Sequence, residues 1–394
     1  MASLTILQCP SRGNPRTVFS IDVIRRYVDK HIAAAVSLCA CVALSVPLLA
    51  SCDRPTWSYQ WEEQQPLQIA RRALAATASG DYLYALGGVD AEGRYVNTVE
   101  VAHVLPDGRL EPWQFTTPLP AGRIYHAAVA VGYELFILGG GQGELGDNNT
   151  PVATVEKAHI LATGQLGEWH QDAPLTTPRR GLQVVAHQDT LYAIGGYNGT
   201  FLKSVERAHV STQGTLSAWT VEPQHAVVDR YIHSATQLGD ALYLLGGHVQ
   251  GSQRMSYGDV EMTQIGAQGA VLAWNVEKTS LRAPRFMASA FALDQHLYML
   301  GGHSGGNRLA SVEFAPVERD GHVGLWRLTT ALPVGRSATA VAVRDSDVYV
   351  IGGVSDTGIL TSVVRARADS HGHLGIPSAT IMTTHDASVP KRND

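Results

Sequence analysis

Cysteine is missing from most of this 394-residue chain: all four, Cys9, Cys39, Cys41 and Cys52, lie within the first 52 residues. Everything after Cys52 must hold together without disulfides. Basic residues are scarce as well. Residues 1–51 contain five of the 30 Lys and Arg but two of the 35 Asp and Glu, which leaves 25 basic against 33 acidic residues beyond them. A surplus of acid on that scale excludes a basic stripe for a nucleic-acid backbone. No composition shift marks a second domain, and no short His or Cys spacing marks a metal site.

The one long uncharged run, residues 32–50, comes after Arg25, Arg26, Lys30 and His31 and ends Leu49-Ala50-Ser51-Cys52. This order predicts a signal peptide over residues 1–51. The last four residues resemble a bacterial lipobox, which implies acylation (palmitate) of Cys52 as the first mature residue. Nineteen apolar residues also just suffice to span a bilayer, so an uncleaved membrane anchor is the alternative. A lone cysteine at that register favours lipidation. The expected location is the cell envelope, lipid-anchored and periplasmic or surface-exposed, with residues 52–60 as a short tether.

Beyond the tether the chain is periodic. Six apolar segments, each with an aromatic residue, run into Gly-Gly pairs at Gly87-Gly88, Gly139-Gly140, Gly195-Gly196, Gly246-Gly247, Gly301-Gly302 and Gly352-Gly353. Trp61, Trp113, Trp169, Trp219, Trp274 and Trp326 step in parallel with them, and five Val-Glu pairs ending at Glu100, Glu156, Glu206, Glu261 and Glu313 each precede a tryptophan by the same interval. A fixed period near fifty residues signals a repeat architecture. Within one unit, residues 126–131, 134–138 and 153–160 read as three strands, and a turn at Thr163-Gly164 leads into a fourth at Trp169. The turns, such as Asp107-Gly108 and Asp320-Gly321, suggest two-residue hairpins with positive φ. Four antiparallel strands per unit, repeated about an axis, make propeller blades.

Leu-Pro-x-x-Arg, a small-residue strand, Leu-Tyr-x-x-Gly-Gly, Ser-Val-Glu and then Trp together resemble the kelch repeat. The resemblance covers residues 61–377 and implies an all-β, six-bladed propeller. The last unit has Val364 in place of glutamate and Pro377 in place of tryptophan, while Trp61 stands alone at the start. The strand at Trp61 is therefore expected to complete the sixth blade and close the ring. Residues 378–394 are expected to form a disordered tail. The tether then holds the hairpin face toward the membrane, and the face built from the loops after Gly-Gly looks away.

On that outward face each first strand begins at an arginine: Arg72, Arg123, Arg180, Arg230, Arg285 and Arg336. A circle of guanidinium groups at a channel mouth suits a carboxylate or other anion; the alternative is that these arginines bond to neighbouring carbonyls or acids as part of the repeat. Tyr125, His126, Tyr231, His233, His248 and His303 extend the candidate ligand-binding set. The histidines lack metal-ligand spacing, and no metal or cofactor is expected. His103, His159 and His209 share one register and read as repeat positions, as do the five glutamates. Two long loops, residues 141–151 and 248–258, are candidates for recognition or for drift.

Two functions compete. One is a monomeric binding or scaffold module for a protein, glycan or small anionic ligand. The other is an enzyme similar to the kelch-type sialic acid mutarotases, for which Asp229, Arg230, His233 and Glu144 are the acid–base candidates. A copper radical oxidase of the galactose oxidase type is excluded, because its cofactor needs a cysteine that the propeller does not have. The absence of an isolated acid–base pair favours binding.

Overall fold

The computed structural model describes residues 57–143, 149–249 and 256–378, so Cys52, the proposed signal peptide, Glu144 and the tail beyond residue 378 lie outside the described residues. Six antiparallel blades surround a channel. The first has strands Ala75–Ser79, Tyr82–Leu86, Val99–His103 and Gln114–Thr116, paired in that order from the channel outward. The second repeats the order with Ala127–Val131, Glu134–Leu138, Val155–Ile160 and Leu166–Asp172. Second strands such as Tyr82–Leu86 and Glu134–Leu138 are buried on both faces, which is why they read as continuous apolar runs rather than alternating ones.

Each Gly-Gly pair bends a second strand where the next blade's backbone arrives. Gly139 and Gly140 have φ of 59° and 97°, and a Cβ on Gly139 would stand 2.6 Å from the Arg179 carbonyl oxygen. The close approach has a use: the Gly140 N–H donates to that same oxygen at 2.9 Å, tying blade two to blade three. The hairpin turns differ from the two-residue type. Gly108 N–H donates to Leu105 O at 2.8 Å and Leu105 N–H to Arg109 O at 2.8 Å, so three residues form the loop, with Gly108 in the left-handed region.

Tyrosine and tryptophan rivet neighbouring blades. The hydroxyls of Tyr84, Tyr192, Tyr243, Tyr298 and Tyr349 donate to the turn carbonyls of Gly164, Gly269, Gly321, Gly372 and Gly108 in the next blade, at 2.6–2.9 Å. Blade two has Phe136 in this register, and there Lys157, paired across from it, sends its Nζ to Gly214 O at 2.5 Å. Tryptophan indoles reach back to the preceding blade, Trp113 Nε1 to Gln65 O at 2.9 Å and Trp219 Nε1 to Ala173 O at 2.9 Å.

The ring closes through the N-terminus. Glu62–Gln64 pairs with the sixth blade's third strand, Val363–Ala368, and Trp61 Nε1 donates to Thr330 O at 3.1 Å as the indoles of Trp113, Trp169 and Trp219 do to their preceding blades. The far end of that third strand pairs instead with Leu374–Pro377, which in turn carries Trp57–Ser58. The sixth blade's outer edge is thus divided between the two ends of the chain. Arg365 fastens the seam, with Nε to Asp347 Oδ1 at 2.6 Å, Nη1 to Glu62 Oε2 at 2.9 Å and Nη2 to Asp107 O at 2.6 Å.

Candidate functional site

The repeat arginines do not line the channel mouth. The residue that stands 16 positions before the first glycine of each pair is Arg71, Arg123, Arg179, Arg230, Arg285 or Arg336, and each guanidinium turns into its own blade to donate to that glycine's carbonyl. In five blades it also meets the Val-Glu carboxylate: Arg71 with Glu100 at 2.7 Å, Arg179 with Glu206 at 2.5 Å, Arg123 with Glu156, Arg230 with Glu261, and Arg285 with Glu313. All six arginines are buried. A desolvated guanidinium bonded within its own blade is a structural element. Arg123, Arg230, Arg285 and Arg336 therefore leave the candidate ligand-binding set.

One residue further on, the extended backbone turns the side chain to the other side. This next register contains Arg72, Ile124, Arg180, Tyr231, Phe286 and Ser337, each bridged to the residue after its glycine pair. Blades one and three carry Arg-Arg, and the second arginine of each faces the mouth. The constant interval of 16 residues to the glycines distinguishes the two; counting from the strand start does not.

The residue after that takes a left-handed conformation in every blade: Ala73, Tyr125, Gly181, Ile232, Met287 and Ala338 have φ between 47° and 60°. Their backbones form a closed belt. Each N–H donates to the carbonyl of its counterpart one blade earlier, Tyr125 to Ala73, Gly181 to Tyr125, Ile232 to Gly181, Met287 to Ile232, Ala338 to Met287 and Ala73 to Ala338, at 2.7–3.2 Å. Five of these six residues are not glycine, and each such conformation costs about 1–3 kcal/mol. Six inter-blade hydrogen bonds offset that strain. The belt narrows the channel to a cavity of about 70 Å³, above a wider section of about 210 Å³ lined by the small residues of the first strands.

His126 and His233 lie just behind the belt, in a register held elsewhere by Leu74, Leu182, Ala288 and Thr339. They are 5% and 1% exposed. Their rings pack on the preceding blade, where a Cβ on Gly87 or Gly195 would stand 2.7 or 2.6 Å from the imidazole Cε1. Burial, and then the fields of Arg123 on His126 and of Arg230 and Arg179 on His233, push both down to about 3. They are neutral core groups rather than ligands. Arg230 is bound to Glu261, His233 is buried and Asp229 carries no ion pair, so the described members of the acid–base set do not meet. Among the described residues no group of three or more His, Cys, Asp or Glu is arranged to hold a metal ion.

The remaining candidates do converge. Arg180 lies over the Tyr197 and Tyr231 rings, 5.0 and 5.6 Å from their centroids, and donates to Asn149 Oδ1. Arg72 bonds the Tyr125 phenol, which donates onward to Met287 Sδ at 3.7 Å. Desolvation raises the Tyr95 and Tyr125 hydroxyls, while the charges of both Arg72 and Arg180 lower them, which places the two cations around one pair of phenols. No described carboxylate forms an ion pair with Arg72 or Arg180.

An aromatic arc continues from this cluster. Tyr231 contacts Phe201, Phe201 contacts His248, His248 contacts Phe286 and Phe286 contacts His303, with centroids 5.2–6.0 Å apart. Burial lowers the pKa of His248. The arc leads to a pocket of about 430 Å³ bordered by Arg72, Phe286, Met287, His303, Arg308 and Ser337. His303 Nδ1 accepts from the Gly305 N–H at 3.0 Å, and Arg308 is paired to Asp356 at 2.8 Å. Tyr95, Tyr197, Phe201 and Arg308 were not candidates from the sequence; all four lie in the segments between a Gly-Gly pair and the next Val-Glu pair, whose folding no repeat register predicts.

Comparison with known proteins agrees with this architecture. A family model described as the KLHDC2/KLHL20/DRC7 Kelch-repeats domain matches residues 48–247. Beta-scruin of Limulus polyphemus is 30% identical over 141 residues, 35% of this chain and 15% of that protein. Kelch-like protein 36 of Bos taurus is 25% identical over 296 residues, 74% of this chain and 45% of that protein. The chain thus spans less than half the length of these curated relatives. The solved structure titled "Structure of YjhT" superposes with a TM-score of 0.63 at 14% identity, covering 78% of this chain and 98% of that one. The repeated blade, its arginine–glutamate lock and the family match lead to one conclusion: this chain belongs to the kelch-repeat family of β-propellers.

Proposed function

We propose that this propeller is a binding module of the cell envelope, held by a lipid on Cys52, that receives an acidic group of a protein, glycan or small ligand at its channel mouth. The observation that carries this reading is the convergence of Arg180, over the Tyr197 and Tyr231 rings, with Arg72, on the Tyr125 phenol that packs against Tyr231, neither arginine having a described carboxylate partner. A guanidinium without a counter-charge among the described residues is suited to forked hydrogen bonds with a carboxylate or other oxyanion. The aromatic arc beside it offers flat apolar faces to the rest of the ligand. The residues 49–52 pattern supports the anchor, and the surplus of acid beyond it argues against nucleic acid as the partner.

Binding of the protein to matched acidic and neutral glycans and peptides tests the reading. Acidic members should be retained and neutral ones not, and Arg72→Ala or Arg180→Ala should each weaken retention about 10- to 100-fold, the worth of a charge-assisted hydrogen bond. Equal binding of acidic and neutral members, or binding that survives both substitutions, would refute it.

A further inference from the structure

In four blades the glutamate that pairs with the buried arginine has the same three partners. Glu206, for instance, accepts from Arg179 Nη2 at 2.5 Å and from the Thr176 and Thr177 N–H groups at 2.6 and 3.1 Å. Glu100, Glu261 and Glu313 do the same with the backbone pairs at Gln68 and Ile69, Val227 and Val228, and Arg282 and Ala283. In the second blade Pro120 removes one donor, but Glu156 still meets Arg123.

The sixth blade departs from this. Val364 holds the glutamate register, and its side chain ends before the position a carboxylate would take. Arg336 is nonetheless 1% exposed. Its Nη1 reaches Gly352 O and Ser362 O only at 3.4 Å and its buried Nε has no partner, as in Arg123 and Arg230; what sets it apart is that no described group accepts from Nη2. Ser362 Oγ is buried without a partner, whereas its counterparts Thr98 Oγ1, Ser204 Oγ and Ser311 Oγ accept from the local arginine at 2.8–3.1 Å. Val334 N–H stands in the register of Ile69, Thr177, Val228 and Ala283.

Negative charge has moved across the sheet. Opposite Val364 the fourth strand carries Glu63, where the other blades carry Phe115, Gln171, Val221, Val276 and Leu328. Glu63 is exposed and makes no hydrogen bond to Arg336. Burial drags Arg336 down to about 10, and the distant field of Glu63 only partly opposes this. A buried cation without a bonded counter-charge is costly, so an anion that supplies one is held strongly.

We propose that the sixth blade contains a site for a small monovalent inorganic anion of the size of chloride, too small for gluconate, on Arg336 Nη2, the Ser362 hydroxyl and the Val334 N–H. The anion takes the place that a glutamate carboxylate holds in the other blades, at the seam where the N-terminal strand closes the ring. Thermal unfolding of the full chain tests this, with chloride replacing gluconate at constant ionic strength. Chloride should raise Tm along a single-site curve, by about 1–2 °C at ten times its dissociation constant. Val364→Glu should raise Tm in gluconate and abolish the chloride response. Glu63→Gln should strengthen the response by removing a nearby like charge. A wild-type Tm indifferent to chloride overturns the proposal, as does a response unchanged by Val364→Glu. If Glu63→Gln lowers Tm while chloride has no effect, Glu63 is the counter-charge and the site does not exist.

Discussion

Replacing His126 and His233 by leucine, the residue that blades one and three already carry at this register, should make the propeller more resistant to acid. Both imidazoles are pushed from 6.5 to about 3. The sign is set by proton binding. Between these values the unfolded chain takes up a proton on each histidine and the folded chain does not, so stability is full above about pH 6.5 and falls as pH drops toward 3. Each histidine removes about 1.4 kcal/mol per pH unit once the unfolded side chain is protonated, or about 2.5 kcal/mol between pH 7 and pH 4.5. The pair therefore accounts for about 5 kcal/mol over that interval, comparable to the whole stability of many domains. Desolvation lowers His248 and His296 too, but they remain in every variant and cancel in the comparison. Asp90, Asp107 and Asp369, whose carboxyls backbone and side-chain hydrogen bonds hold below the usual range, lose their contribution only further down in pH. Urea unfolding monitored by tryptophan fluorescence at pH 7, 5.5 and 4.5 measures the effect. Each leucine should remove about 2.5 kcal/mol of the loss between pH 7 and 4.5, with little change at pH 7. If the double variant loses stability between pH 7 and 4.5 as steeply as the parent, the histidines are not neutral core groups and the reasoning fails.

Arg285→Ala should cost about 3–5 kcal/mol in the same assay, because Glu313 is left buried without its cation, whereas Arg72→Ala at the mouth should cost less than about 1 kcal/mol. Lys157→Ala should cost about 1 kcal/mol by orphaning the Gly214 carbonyl, and Phe136→Tyr in that background should restore it if the hydroxyl assumes the part played in the other blades. Ala338→Gly should stabilise by about 0.5–1 kcal/mol by relieving the left-handed backbone, judged by denaturant midpoint. Gly181→Ala at the equivalent position should destabilise, since its Cβ would stand 2.3 Å from Tyr231 Cε2.

Much of the architecture was legible because it is written six times. The Gly-Gly, Val-Glu and tryptophan registers mark strand ends, and the unmatched Trp61 pointed to the closing strand. The divided edge of the sixth blade was not legible, because Leu374–Pro377 carries no tryptophan to announce a fourth strand. The candidate site was read less well. Arg72 and Arg180 were placed at the mouth, but Arg123, Arg230, Arg285 and Arg336 were placed there with them, although they belong to the buried register one residue earlier. Tyr125 and Tyr231 held their place, while His126 and His233, polar by type, proved to be core residues in slots where other blades use leucine.

The sequence alone determined the number of blades, their strand order and the means of closure, since these depend on local periodicity and on which repeat is incomplete. Only the tertiary structure decided which side of each inner strand faces a ligand. Extended backbone at the entry to each inner strand turns successive side chains to opposite sides, and a belt of hydrogen bonds between blades fixes the left-handed residue that follows. That alternation separates Arg71 and Arg179, locked to glutamates of their own blades, from Arg72 and Arg180 beside them; the interval of 16 residues to the glycines marks the two registers, but only the fold shows which of them is locked.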